Sequence, residues 1–188
     1  MLAYTAAPPL PLASHIENSP VISLGSFSKI MAPGLRLGWI HAGAKLMTRL
    51  CGCGLVDSGG GLNPFTSGVM RSVIELGLLE KQLTNLKAVY SKRKVALTNA
   101  LRELLPNSVR FVEPDGGFFI WLEFAGTIDT VQLLAAARQH NTGFLPGIKF
   151  SGQNGLKNYA RLSFAYYDVP ELEEGAGRLA KVIRKSKA

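Results

Sequence analysis

The chain has 188 residues, enough for one good-sized domain or for a small domain joined to part of another. Hydrophobic residues make up 47% and charged residues 18%, with a mean hydropathy of +0.15, a composition that is globular but apolar for a protein showing all its surface to water; it points to a partner surface or a further piece of protein. The formal charge of +8 admits an anionic partner, but much of the excess is Lys181, Arg184, Lys185 and Lys187 at the end of a predicted helix, where cations suit the helix dipole, and a DNA-binding role would need a helix-turn-helix that the sequence lacks.

Cys51 and Cys53 are separated by one glycine, and neither a second cysteine pair nor a neighbouring histidine completes a zinc-ligand pattern, so reduced thiols are expected. The opening MLAYTAAPPLPLAS has no basic stretch followed by a long apolar one, and no run approaches the roughly 20 apolar residues of a membrane span. The expectation is a soluble, intracellular chain of the cytoplasm.

In chain order, residues 1–20 are rich in proline and alanine and read as an extended lead-in segment. Residues 21–25 and 35–42 are continuous apolar runs bounded by turn formers, which predicts two buried strands. Residues 45–51 predict a short helix ended by glycine, and residues 57–63 (DSGGGLN) a glycine-rich loop. A helical pattern begins at Pro64. From Leu79 to Leu105 the apolar positions Leu79, Leu83, Leu86, Tyr90, Leu97, Leu101 and Leu104 recur at three, four or seven residues, which predicts one long amphipathic helix stopped by Pro106 and Asn107. Strands over 109–112 and 118–124 follow, then a helix over 130–140, strands over 143–145 and 159–165, and a last helix. Asp168 is the expected N-cap of that helix, with Glu171 as its capping-box partner and Pro170 in the first turn. Phe118, Phe119 and Trp121 read as alternating strand positions, and His15, His41 and His140, without local partners, as structural. Residues 1–78 form one predicted part, and residues 79–188, the long helix with a compact α+β unit, the other.

The segment SLGSFSKIMAPGLRLGWI (residues 23–40) carries the chemistry. A lysine attacks carbonyls when its amine loses a proton near neutral pH, which desolvation or nearby positive charge favours. Lys29 follows an apolar strand, so its amine is expected in a dry cleft at the strand's carboxyl end, where open α/β sheets bind ligands. Ser26 and Ser28 add hydroxyls, and Arg36 adds a planar fork of donors suited to phosphate. Together these groups describe a site for a phosphate-bearing aldehyde. Spacing alone is equally consistent with an exposed loop lysine and a surface arginine on an edge strand.

SFSKIMAPGLRLGW resembles the cofactor-lysine motif of the pyridoxal-phosphate-dependent aminotransferases of fold type I, class I/II, in particular the branch of 2-aminoadipate-type transaminases and of aminotransferase-like domains fused to bacterial regulators. There the motif reads Ser-x-Ser-Lys-x-x-x-Pro-Gly-x-Arg-x-Gly. The resemblance implies pyridoxal 5'-phosphate as cofactor, Lys29 as the lysine joined to its aldehyde, and Ser26, Ser28 and Arg36 as its phosphate ligands. GGGLNPFTSGVMRSVIELGLL, EPDGGFFIWLEF and NYARLSFAYYD resemble later segments of the family. The last of these implies that Arg161 grips the substrate carboxylate, a role that a guanidinium in an apolar strand also fits. An ion pair of Arg161 with Glu123 or Asp168 is the structural alternative. Thr66 is implied, loosely, to reach a cofactor phosphate in a partner subunit.

The resemblance covers the carboxyl-terminal half of the family's chain. The implied fold is therefore a partial α/β one: the end of the large-domain sheet, a long linking helix and a small α+β carboxyl-terminal domain. The implied activity is transfer of an amino group between an amino acid and a 2-oxo acid, with a homodimer as the full-length form. The aspartate that pairs with the cofactor's ring nitrogen in the family has no counterpart here, and Tyr4, although near the place of a family tyrosine, is not assigned that role. An inactive fragment or regulatory ligand-binding domain, and a decarboxylase or lyase on the same fold, are the competing expectations.

Overall fold

The structure is a computed structural model and describes residues 2–5, 7–57 and 62–186. The chain divides into two compact units, one of residues Ala7–Leu86 and one of Lys87–Ala188 together with Met1–Ala6. The division falls inside the longest helix, whereas the sequence pattern marks one at that helix's start.

The first unit is built on an antiparallel hairpin of β1 (Ile22–Ser26) and β2 (Gly38–Ala42), in register from Ile22 opposite Ala42 to Ser26 opposite Gly38. Two glycines make this pairing possible. A Cβ at Gly25 would lie 2.0 Å from Trp39 Cε2, and one at Gly38 would lie 2.5 Å from the Gly25 carbonyl oxygen. The indole can therefore lie across the backbone and meet the Phe27 ring, with ring centres 4.7 Å apart. A 3-10 helix (Leu12–Asn18) and α1 (Ala44–Cys51) pack beside the hairpin, followed by α2 (Gly54–Asp57) and α3 (Pro64–Glu75). Pro64 opens α3, and Asn63 caps it by accepting from Thr66 N–H at 3.3 Å. Gly77, at φ 68°, then turns the chain into α4 (Leu78–Leu104).

Three expectations need correction in this unit. Residues 1–20 are not simply extended, because a 3-10 helix forms within them. The second strand starts at Gly38 rather than Leu35: Pro33–Leu35 form a 3-10 turn that ends on Arg36 in the left-handed conformation, so the proline-glycine turn consumes residues read as strand. The two strands are also not buried. Leu24 is 75% exposed and Ile40 48%, because a two-stranded hairpin has two faces and the described elements do not cover them. The predicted glycine-rich loop lies largely outside the described residues.

The second unit holds a four-stranded antiparallel sheet, in order β3 (Arg110–Phe111), β4 (Phe119–Glu123), β6 (Tyr159–Ser163) and β5 (Leu145–Pro146). Alternation divides its faces. Ile120 and Leu122 of β4 and Ala160 and Leu162 of β6 turn into a core shared with the second half of α4, with α5 (Thr130–Gln139) and with α6 (Val169–Lys185). Phe119, Trp121, Glu123, Tyr159, Arg161 and Ser163 occupy the other face. Asp168 and Glu171 form the expected capping box on α6, and Asp129 caps α5.

Two features of this unit have no local signal in the sequence. The amino-terminal residues strap the turn before β4: Ala3 bridges Gly116, Gly117 N–H donates to Leu2 O at 2.8 Å, and Tyr4 N–H donates to Asp115 O at 2.7 Å. Gly116 is required there, since a Cβ would come within 2.2 Å of Leu2 O. Tyr4 donates its hydroxyl to Gly117 O and sets its ring edge-on to Phe164; burial, aided by Tyr90, pushes its phenol up to about 12. These contacts tie Tyr4 to this unit. The second feature is Lys94, only 1% exposed, whose ammonium meets Glu113 Oε1 at 2.8 Å while Arg102 holds Oε2 at 2.6 Å.

Candidate active site

Four of the five residues singled out in the sequence lie on the hairpin of the first unit. Ser26 ends β1, and the ladder extends one step further through Phe27 N–H donating to Leu37 O at 3.1 Å. That rung closes the loop, so Ser26, Ser28 and Lys29 leave one side of its mouth and Arg36 returns on the other. Phe27 O accepts from Ile30 N–H and Met31 N–H at 3.2 and 2.8 Å, which winds residues 28–31 into a tight turn carrying Lys29. Ser28 N–H donates to Ser26 Oγ at 3.2 Å, tying the two hydroxyl residues together.

Arg36 is fixed twice to one carbonyl: its backbone N–H and its guanidinium both donate to Pro33 O, at 3.4 and 3.1 Å. It makes no ion pair among the described residues, so its remaining N–H donors stay available to an anion. Lys29 is exposed and likewise has no acidic partner among those residues. The dry cleft expected around it is therefore not formed by the described residues of its unit, because Lys29 sits on the outside of a turn. The donor set of two hydroxyls, a guanidinium and an amine suits a phosphate and an aldehyde on one ligand.

The fifth residue, Arg161, belongs to the second unit. It lies on β6 between Trp121 of β4 and Leu145 of β5, on the sheet face away from the core, and borders a cavity of about 780 Å³ with Phe119, Ser163 and Tyr166. Neither acid named as its structural partner engages it. Glu123 pairs with Arg110 at 3.0 Å and accepts from the Tyr159 hydroxyl, which raises that phenol above its ordinary range, while Asp168 is committed to capping α6. Two rings hold Arg161 instead: its guanidinium carbon lies 3.8 Å from the centre of Phe119 and 4.6 Å from that of Phe150. Phe119 had been read as a plain strand position, and Phe150 carries no signal in the sequence, since only the β5–β6 pairing brings its turn beside Arg161. Thr66 lies in the first turn of α3, with its N–H on Asn63.

The sequence profile described as aminotransferase class I and II matches residues 2–179. The chain belongs to the class I and II aminotransferases. It is 33% identical to aromatic-amino-acid aminotransferase 1 of Thermococcus litoralis over 98% of its own length and 44% of that protein's. A kynurenine aminotransferase of Pyrococcus horikoshii superposes with a TM-score of 0.89 at 31% identity, covering 100% of this chain and 46% of that one. The alpha-aminoadipate aminotransferase of Thermus thermophilus, solved with N-(5'-phosphopyridoxyl)-L-leucine, superposes at 0.84 with 28% identity, covering 98% and 48%. This aminotransferase chain thus has the α/β architecture of fold type I in part, and spans about half the length of the relatives it matches. Among the described residues no helix is long and apolar enough to cross a membrane, and no cluster of potential metal ligands occurs.

Proposed function

We propose that the chain is the cofactor-lysine and small-domain portion of a pyridoxal-phosphate-dependent enzyme that moves an amino group between an amino acid and a 2-oxo acid. The observation that carries this reading is the gathering of Ser26, Ser28, Lys29 and Arg36 at the mouth of one hairpin loop. Bound pyridoxal phosphate supplies the electron sink for breaking a bond at the substrate α-carbon. Lys29 would hold the cofactor through its amine, and the same amine would carry the substrate α-proton. Ser26, Ser28 and Arg36 hold the phosphate, Arg36 from a backbone pose that its own guanidinium braces. Arg161 takes the substrate carboxylate, and its freedom from any acidic partner among the described residues supports that role. Residues 1–78 are then what the chain has of the cofactor domain and residues 79–188 the linking helix and small domain, in a cytoplasmic protein whose full-length form is a homodimer.

A second reading, an inactive or regulatory fragment, is favoured by the exposure of Lys29 and of the hairpin's apolar residues. The two separate on a single-turnover experiment: protein loaded with pyridoxal phosphate and given an amino acid should release its 2-oxo acid, and Lys29→Ala should not. Absence of oxo acid from both proteins favours the second reading. Arg36→Ala should weaken cofactor retention by about 10- to 100-fold in a dialysis measurement, since a phosphate loses charge-assisted hydrogen bonds of roughly 1.5–3 kcal/mol each.

A further inference from the structure

We infer that Phe119 and Phe150 are positioning residues that hold the faces of the Arg161 guanidinium and thereby reserve its in-plane N–H edge for a planar carboxylate. The inference rests on the reading of Arg161 as the carboxylate grip and adds the device that keeps the grip in place before a ligand arrives. A guanidinium has two ways of being held: an acid takes its edge, and an aromatic ring takes its face. Here the edge has no acid among the described residues, since Glu123 is occupied by Arg110 and Tyr159. The faces are what the protein uses. At 3.8 Å from the ring centre of Phe119 the guanidinium carbon is in van der Waals contact with the π system, and Phe150 adds a second ring at 4.6 Å.

The rings are themselves supported. Phe150 stands edge-on to Trp121, with centres 5.3 Å apart and planes at 79°, and Trp121 stacks on Tyr159. Phe119 stands edge-on to Phe118, which in turn stands edge-on to Tyr90 of α4. Arg161 therefore joins two runs of three rings each, Tyr90, Phe118 and Phe119 on one side and Phe150, Trp121 and Tyr159 on the other. An acidic partner in place of the rings would have to be displaced by each incoming carboxylate. A π partner does not compete with one, because face and edge are used at once.

The test is the dissociation constant of 3-phenylpropanoate, a carboxylate that lacks an amino group and so cannot react, measured by calorimetry on the purified protein loaded with pyridoxal phosphate. Phe119→Leu and Phe150→Leu keep apolar volume but remove the π face, and each should weaken binding by about 2- to 30-fold. Phe119→Tyr and Phe150→Tyr should restore it. In an Arg161→Ala background, Phe119→Leu should have no further effect, and 3-phenylpropanamide, the neutral analogue, should bind all of these proteins alike. If Arg161→Ala weakens 3-phenylpropanoate binding but the leucine variants leave it unchanged, or if they weaken the amide as much as the acid, the positioning role is wrong while the carboxylate role stands. If wild type and Arg161→Ala bind the acid equally, the carboxylate role has failed, and the positioning role with it.

Discussion

Replacing Glu113 with alanine is expected to lower the stability of the folded protein by about 3–5 kcal/mol, a large share of the roughly 5–15 kcal/mol that holds a domain together. Lys94 lies on α4 and is 1% exposed, so its ammonium has surrendered its hydration and depends on Glu113 at 2.8 Å. Removing the carboxylate leaves a buried cation without compensation. Lys94→Met removes the buried charge as well as the pair and leaves Glu113 on Arg102, so its cost should be the smaller of the two. Urea midpoints of the two variants check the ordering, and a loss from Lys94→Met as large as that from Glu113→Ala would contradict it.

The same pair gives a pH dependence. Hydrogen bonds from Lys94 first, and then from Arg102, hold the Glu113 carboxyl below the usual range. A carboxyl depressed in the folded state contributes stability that is fully present above its unfolded value, near 4.3, and is lost as pH falls through the folded value. Acid titration of stability should therefore show a loss below about pH 4 that Glu113→Gln removes.

What the sequence revealed and what it hid follow from how far apart the interacting residues lie along the chain. That Ser26, Ser28, Lys29 and Arg36 share one hairpin was legible because they fall within one short segment whose turn chemistry is local. Helix α4 and the capping box of α6 were legible for the same reason, being read from periodicity and from residues three apart. Lys94 looked like any polar residue of an amphipathic helix; its burial depends on a glutamate delivered by a later loop. Phe150 and the strap formed by Leu2 and Tyr4 depend on pairing between distant segments, to which periodicity is blind. The hairpin strands were misjudged in burial for a different reason: apolar runs report what a strand is suited to pack against, not whether the described residues supply it.

The second large effect is at Arg161. Arg161→Ala should leave the cofactor bound but lower kcat/KM for the amino acid by about two to four orders of magnitude, since a bidentate carboxylate loses two charge-assisted hydrogen bonds of roughly 1.5–3 kcal/mol each. The KM should rise as well, because ground-state binding uses the same contacts. Arg161→Lys should recover only part of the loss: an ammonium keeps the charge but has neither the fork that meets both carboxylate oxygens nor the planar face that rests on Phe119. Steady-state kinetics with parallel measurement of bound cofactor separates the roles of the two arginines. Loss of cofactor from Arg161→Ala with an unchanged KM would make that arginine structural.

The assignment of Lys29 as the cofactor lysine is tested most directly by covalent trapping. The protein is incubated with pyridoxal phosphate, reduced with borohydride and digested, and the modified peptide is located by mass spectrometry. The expected result is a phosphopyridoxyl group on Lys29, absent when Lys29→Ala is treated in the same way. A label on Lys45 or any other lysine, with Lys29 unmodified, would contradict it.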